Sequence, residues 1–130
     1  MPRLLIVEDE PDIALILLTK FSRAGFEVSV ARDGQAGLEE ATAQRPDVLL
    51  LDAMLPNLDG YAVCRAIKAH NAAAGERAPL VAMLSARSQA ADRQRGIEAG
   101  CDDYILKPFR PADLLERVQH LLLLRERGEP

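Results

Sequence analysis

The chain has 130 residues, 48% hydrophobic and 28% charged, with a formal net charge of −4 and an isoelectric point near 5.2. That is the size of one globular domain, able to bury about two-thirds of its unfolded surface without disulfides or a structural metal. The acidic balance and scattered Lys and Arg argue against a nucleic-acid surface, and no apolar stretch nears the roughly 18 residues that span a membrane.

Arg3 to Val7 is an apolar run of strand length that ends at Glu8-Asp9. Pro11-Asp12 opens a helix, because a proline in the first turn loses no hydrogen bond. Ile13, Leu17, Phe21 and Ala24 recur at helical spacing, and Gly25 stops the helix. Phe26 to Ala31 alternates as a short strand, and Asp33-Gly34 turns into a second helix of about ten residues that ends before Pro46. Val48 to Leu51 is wholly apolar and ends at Asp52. After a loop over Ala53–Asp59, a third helix carries Tyr61, Val63, Cys64 and Ile67, and the small polar stretch Asn71–Arg77 reads as loop.

Leu80 to Leu84 is the fourth strand, ending at Ser85, and Gln89 to Ala99 is the fourth helix, stopped by Gly100. Asp103 to Leu106 is the fifth strand, followed by Lys107-Pro108. Pro111 opens the last helix, with Leu114, Leu115, Val118 and the leucines from Leu121 on its apolar face. Arg125 to Pro130 reads as a polar tail after a domain spanning residues 1–124. The strand–helix unit thus recurs five times, and strands apolar throughout are buried on both faces. An α/β fold follows, a parallel sheet with helices on both sides.

In such sheets ligands bind at the carboxyl ends of the strands. Glu8, Asp9, Asp52, Ser85 and Lys107 are the residues that follow the buried runs there. Each alone has a plain explanation as a turn or helix-cap residue, and Asp9 could cap the helix after Pro11. Together they form a pattern that capping does not require. Carboxylates this close repel by about 4 kcal/mol per pair at 4 Å and an effective dielectric constant of 20. A hard cation relieves that cost, and Mg²⁺ favours one or two carboxylates with phosphate oxygens and water. Glu8 and Asp9, as neighbours, can both face one site only if the strand has ended by Asp9. Asp9 is then expected as direct ligand and Glu8 through water. A nucleophilic carboxylate, a metal, a hydroxyl and an ammonium are the parts that phosphoryl transfer needs.

Four segments carry a resemblance: LLIVEDEP at Leu4–Pro11, PDVLLLDAMLPNLDGY at Pro46–Tyr61, MLSAR at Met83–Arg87 and GCDDYILKPF at Gly100–Phe109. Over essentially its whole length the sequence resembles the receiver (CheY-like) domains of two-component response regulators. The resemblance implies a flavodoxin-like sheet in the order 2-1-3-4-5 with five helices. It makes Asp52 the aspartyl-phosphate site, and Glu8 and Asp9 the acidic pair for Mg²⁺ together with the Met54 backbone carbonyl. Ser85 becomes the switch hydroxyl, Lys107 the phosphate-contacting lysine, and Tyr104 the aromatic group that turns inward on activation. It also implies a cis Lys107-Pro108 bond. Ala53 departs from the bulkier aliphatic residue usual there, and Met54 and Arg87 stand at variable positions that affect phosphoryl lifetime.

The resemblance further implies a signalling switch rather than an enzyme, with a sensor histidine kinase or phosphotransfer protein as phosphoryl donor. Arg93, Asp102, Asp103, Asp113 and Arg117 alternate in sign on the face made by the fourth helix, fifth strand and fifth helix. That resembles the OmpR/PhoB-type receivers, which dimerise there when phosphorylated. It would pair Arg93 with Asp113, and Asp102 or Asp103 with Arg117, across a two-fold axis; the plain alternative is a solvated helix face. Cys64 and Cys101 form no motif, and with a strand beginning by Leu4 there is no room for a signal peptide, so cytoplasmic residence and reduced thiols are expected. Two other functions are weaker. A dehalogenase-type phosphatase wants a second Asp where Met54 stands, and a flavin or nucleotide carrier wants a phosphate loop where Glu8 to Glu10 would repel phosphate. The chain is either a stand-alone regulator or the receiver of a longer protein.

Overall fold

Strand and helix alternate without exception in the computed structural model, which describes residues 1–128. In chain order the elements are β1 (Arg3–Val7), α1 (Pro11–Arg23), β2 (Glu27–Ala31), α2 (Gly34–Gln44) and β3 (Val48–Asp52). α3 (Gly60–Ala73), β4 (Leu80–Ser85), α4 (Ala90–Ala99), β5 (Asp103–Leu106) and α5 (Pro111–Glu126) complete them. The five strands are all parallel, in the order β2-β1-β3-β4-β5.

The apolar runs are explained by a sheet covered on both sides. Leu5, Val7, Leu49, Leu51, Val81 and Met83 face one core with Tyr61, Val63, Cys64 and Ile67 of α3. The alternate residues Leu4, Ile6, Val48, Leu50, Ala82 and Leu84 face the other, against Leu17 and Phe21 of α1 and Leu114 and Val118 of α5. Successive strand residues therefore bury in opposite directions. Each fully buried Leu, Ile or Val contributes about 1.5–3 kcal/mol relative to exposure.

Helix starts follow their capping residues. Asp33 accepts from the Ala36 N–H at 2.7 Å and Asp59 from the Ala62 N–H at 2.9 Å. α1 and α5 begin on Pro11 and Pro111, and neither cap residue, Glu10 or Arg110, makes a side-chain capping bond. Asp9 therefore caps nothing. Ala24, expected on the apolar stripe of α1, is instead the exposed C-cap before Gly25, whose φ is +95°.

Two stretches differ from the sequence reading. Asn71 is no loop residue: α3 continues through Ala73, and Asn71 is buried. Its Nδ2 donates to the Arg77 carbonyl at 3.2 Å and its backbone carbonyl accepts from the Glu76 N–H at 2.8 Å, so one residue closes the turn through side chain and backbone together. Arg125 and Glu126 likewise belong to α5 rather than to a polar tail. The Arg125 guanidinium reaches back to the carbonyls of Ala78 and Asp47, anchoring the end of α5 beneath the sheet. Burial there lowers its pKa. Pro130, the end of the expected tail, lies outside the described residues.

Candidate functional site

β1 and β3 are neighbours in register, with Val7 opposite Leu51, so Glu8 and Asp52 emerge side by side. The strand order reverses between them, since β2 flanks β1 on one side and β3 on the other. That crevice is where α/β sheets hold ligands. β1 ends at Val7, so both Glu8 and Asp9 lie beyond the strand and are free to turn toward one point. Glu8, Asp9 and Asp52 each offer an oxygen within 4.8 Å of the others. Glu8 is fully buried and Asp52 3% exposed, while Asp9 faces solvent.

Lys107, directly after β5, reaches into this group. Its Nζ lies 3.1 Å from Glu8 Oε1, 3.2 Å from Asp52 Oδ2 and 4.0 Å from Glu10 Oε1. Asp52 Oδ1 accepts from the Met54 N–H at 3.1 Å, and Glu8 Oε2 from the Glu10 N–H at 3.3 Å. One ammonium among these acids does not balance them. Burial, aided by hydrogen bonding to Asp52 and by its charge, raises the Glu8 carboxyl to about 7. Burial pulls the Lys107 ammonium down, but the hydrogen bond to Glu8 and the Asp52 charge outweigh it and leave it above the ordinary lysine value. A buried acid held half-protonated near neutrality beside a second carboxylate is a donor set short of positive charge. A divalent cation fits that set.

Ser85 ends β4 and is buried, its Oγ accepting from the Arg87 N–H at 3.0 Å. The β4–β5 register puts it opposite Leu106, and its carbonyl accepts from the Lys107 N–H at 2.8 Å. The Lys107-Pro108 bond is cis. Tyr104 already points inward and is 5% exposed.

The loop after β3 is pinned from α2. Asn57 Nδ2 donates to Asp33 Oδ2 at 3.3 Å and the Gly34 N–H to the Pro56 carbonyl at 3.4 Å. A Cβ on Gly34 would overlap the Leu58 carbonyl oxygen, so only glycine lets α2 approach this closely. Nothing in the local sequence at Asp33-Gly34 announces that it supports a loop more than twenty residues on.

Among the charged residues of the α4–β5–α5 face, two assignments change. Asp102 turns one oxygen toward the sheet, accepting from the Val81 N–H at 2.8 Å and from Lys68 Nζ at 3.0 Å, so it already serves contacts within the chain. Asp103 and Arg117 already pair within the chain at 2.6 Å. Arg93 covers the Tyr104 ring, its guanidinium carbon 5.4 Å from the centroid, and Asp113 is exposed.

A fold with this strand order, an acidic crevice at its switch point and a lysine directly after the last strand defines a receiver-type phosphoacceptor domain. The family model for the response regulator receiver domain matches residues 4–119. The chain belongs to that family, the receiver domains of response regulators. It is 46% identical over 127 residues to the transcriptional regulatory protein PrrA of Mycobacterium leprae, covering 98% of this chain and 52% of that protein. The chain thus spans about half the length of the curated relatives it matches. The receiver domain of the Francisella response regulator 1452 superposes with a TM-score of 0.85 at 31% identity, over 99% of this chain and 100% of that one. The receiver domain of the sensor histidine kinase PA1611 from Pseudomonas aeruginosa, solved with magnesium coordinated in its active-site cleft, gives 0.79 at 31% identity, over 92% and 95%. Receiver domains act as signalling switches and bind Mg²⁺ in this cleft. Among the described residues no helix is long and apolar enough to cross a membrane.

Proposed function

We propose that Asp52 accepts the phosphoryl group, that Glu8, Asp9, Asp52 and the Met54 carbonyl would hold Mg²⁺, and that Lys107 and Ser85 take phosphoryl oxygens. The observation that carries this is the meeting of three carboxylates from two strand ends with Lys107 from a third. Mg²⁺, when bound, supplies the positive charge that offsets the carboxylates and the incoming phosphoryl oxygens.

The rest falls to the chain's own residues. Lys107 and the Met54 N–H fix the two oxygens of Asp52, orienting a carboxylate that must attack in line. Its oxygen bonds to phosphorus as the phosphorus–nitrogen bond of a phosphohistidine breaks, and the leaving imidazole keeps the electron pair and takes up a proton. Lys107 then shifts from Glu8 to a phosphoryl oxygen. Ser85, whose oxygen accepts from Arg87, has its own proton to donate to a second. Tyr104 is the aromatic group whose inward position accompanies this arrangement, and the α4–β5–α5 face is where the change is read.

The donor would be a sensor histidine kinase or a phosphotransfer protein. A groove beside Lys107, lined by Ile13, Ile16, Pro108, Phe109 and Pro111, supports a protein partner that lays apolar side chains next to the site. The same reading puts the chain in the cytoplasm and gives it no direct nucleic-acid contact. A phosphorylation-dependent homodimer would use Arg93 with Asp113, and the Asp103–Arg117 pair re-formed across the axis.

The test is incubation with a small phosphodonor and Mg²⁺, followed by intact mass. The wild type should gain one phosphoryl group and Asp52→Asn none. An unmodified wild type, or equal labelling of the variant, sinks the assignment. Sedimentation of the fluoroberyllate-treated protein tests the dimer, and a monomer at high concentration removes it.

A further inference from the structure

The sequence contains two tyrosines and no tryptophan, and the fold brings both tyrosines together. Tyr61 stands in the first turn of α3 and Tyr104 in β5, yet their hydroxyls are 3.2 Å apart in a buried space. Tyr61 is 1% exposed. The Tyr104 hydroxyl also donates to the Arg87 carbonyl at 2.9 Å. A phenol carries one proton, so with that of Tyr104 given to Arg87, Tyr61 is the donor within the pair. The Arg87 N–H donates in turn to Ser85 Oγ. A continuous line of polar contacts thus runs from Tyr61 through Tyr104 and Arg87 to the hydroxyl at the end of β4.

The neighbours are shaped to this arrangement. A Cβ on Gly96 of α4 would lie 2.9 Å from Tyr104 Cδ1 and 3.1 Å from Cys101 Sγ, so the missing side chain is what makes room for the inward ring. Arg93 covers the Tyr104 ring at 5.4 Å and Arg95 the Tyr61 ring at 4.2 Å. α4 has little other grip on the domain, its buried residues being Gly96 and Ala99. Burial and the bond to Tyr104 push the Tyr61 phenol up to about 12, as expected of a group walled off from water.

We propose that Tyr61 is a positioning residue for Tyr104, holding it inward before any phosphoryl group is attached to Asp52. The proposal rests on the reading of Tyr104 as the moving aromatic group. Its physical basis is the Tyr61 hydroxyl, whose one partner among the described residues, the Tyr104 hydroxyl, is lost once Tyr104 swings out. A buried donor without a partner disfavours the outward state by about tenfold. With phenylalanine at 61 that bias is gone, and the inward position again depends on the phosphoryl group. In the wild type the α4–β5–α5 face is therefore set early.

The two tyrosines also make the test direct. Protein labelled with 3-fluorotyrosine gives two ¹⁹F resonances, and Tyr61→Phe leaves only that of Tyr104. A soluble gadolinium chelate reports whether the ring meets solvent. In the wild type Tyr104 should be protected both without and with fluoroberyllate and Mg²⁺. In Tyr61→Phe it should be accessible without them and protected with them, the inward-to-outward ratio falling about tenfold. A Tyr104 ring exposed in the unmodified wild type, or equally protected in both proteins, overturns the proposal. If fluoroberyllate with Mg²⁺ alters neither protein, it is the Asp52 site assignment that fails. The comparison without ligand still decides the role of Tyr61.

Discussion

Glu8 offers the sharpest quantitative test, because its charge is held in a place that disfavours it. Burial and the Asp52 carboxylate raise its pKa from the ordinary 4.5 to about 7. The folded chain therefore binds a proton more tightly than the unfolded one. By linkage, stability from this group is fully present below pH 4.5 and is lost as pH rises through 7. From 4.5 to about 7, at about 1.36 kcal/mol per pH unit, the loss is about 3 kcal/mol, complete by pH 8. Glu8→Gln keeps the shape and removes the charge. Without divalent cation, urea unfolding should give wild type and variant similar stabilities at pH 4.5, and the variant a margin of about 2–3 kcal/mol at pH 8. Millimolar Mg²⁺ at pH 8 should restore the wild type and leave the variant almost unchanged, because a ligand stabilises only the form that binds it. Equal pH dependence of the two proteins would refute the idea that Glu8 is a buried, uncompensated acid. An Mg²⁺ response retained in full by Glu8→Gln would refute its part in the metal site.

Other expectations follow from the same geometry. Gly34→Ala forces a Cβ into the Leu58 carbonyl and should destabilise by about 1–3 kcal/mol, read by urea unfolding, and weaken Mg²⁺ binding by displacing the loop that carries Met54. Cys64 is fully buried and its thiol is pushed up to about 12 by burial, so a thiol reagent should leave it unmodified in the native protein and label it only in denaturant. Leu50→Ala, at a site sealed on both sides of the sheet, should cost about 2–5 kcal/mol by urea unfolding. Arg125→Ala should lower stability by about 1–3 kcal/mol, since it strands the Ala78 carbonyl and removes a second donor from that of Asp47, and a neutral effect would return that residue to the tail.

Much of this protein is written locally. The runs at Leu4–Val7 and Val48–Leu51 are apolar at every position, a pattern that only a strand covered on both faces satisfies. Their alternation with caps such as Asp33 and Asp59 marks the five strand–helix units, and the acids and the lysine that close the runs mark the site. These signals have periods of two to four residues and are read from neighbours in the chain. What the tertiary structure alone decided lies between distant positions. Tyr61 meets Tyr104 across 43 residues, and neither residue's own neighbourhood in sequence distinguishes it from an ordinary core tyrosine. Asp102 is a surface charge whose carboxylate also accepts from the Val81 N–H, and Asn71, in a small polar stretch, is buried in the last turns of its helix. Hydrophobic periodicity specifies which faces bury. Which polar groups then share a buried space, and so which protons and hydrogen bonds must be satisfied there, depends on the packing of separate elements against one another.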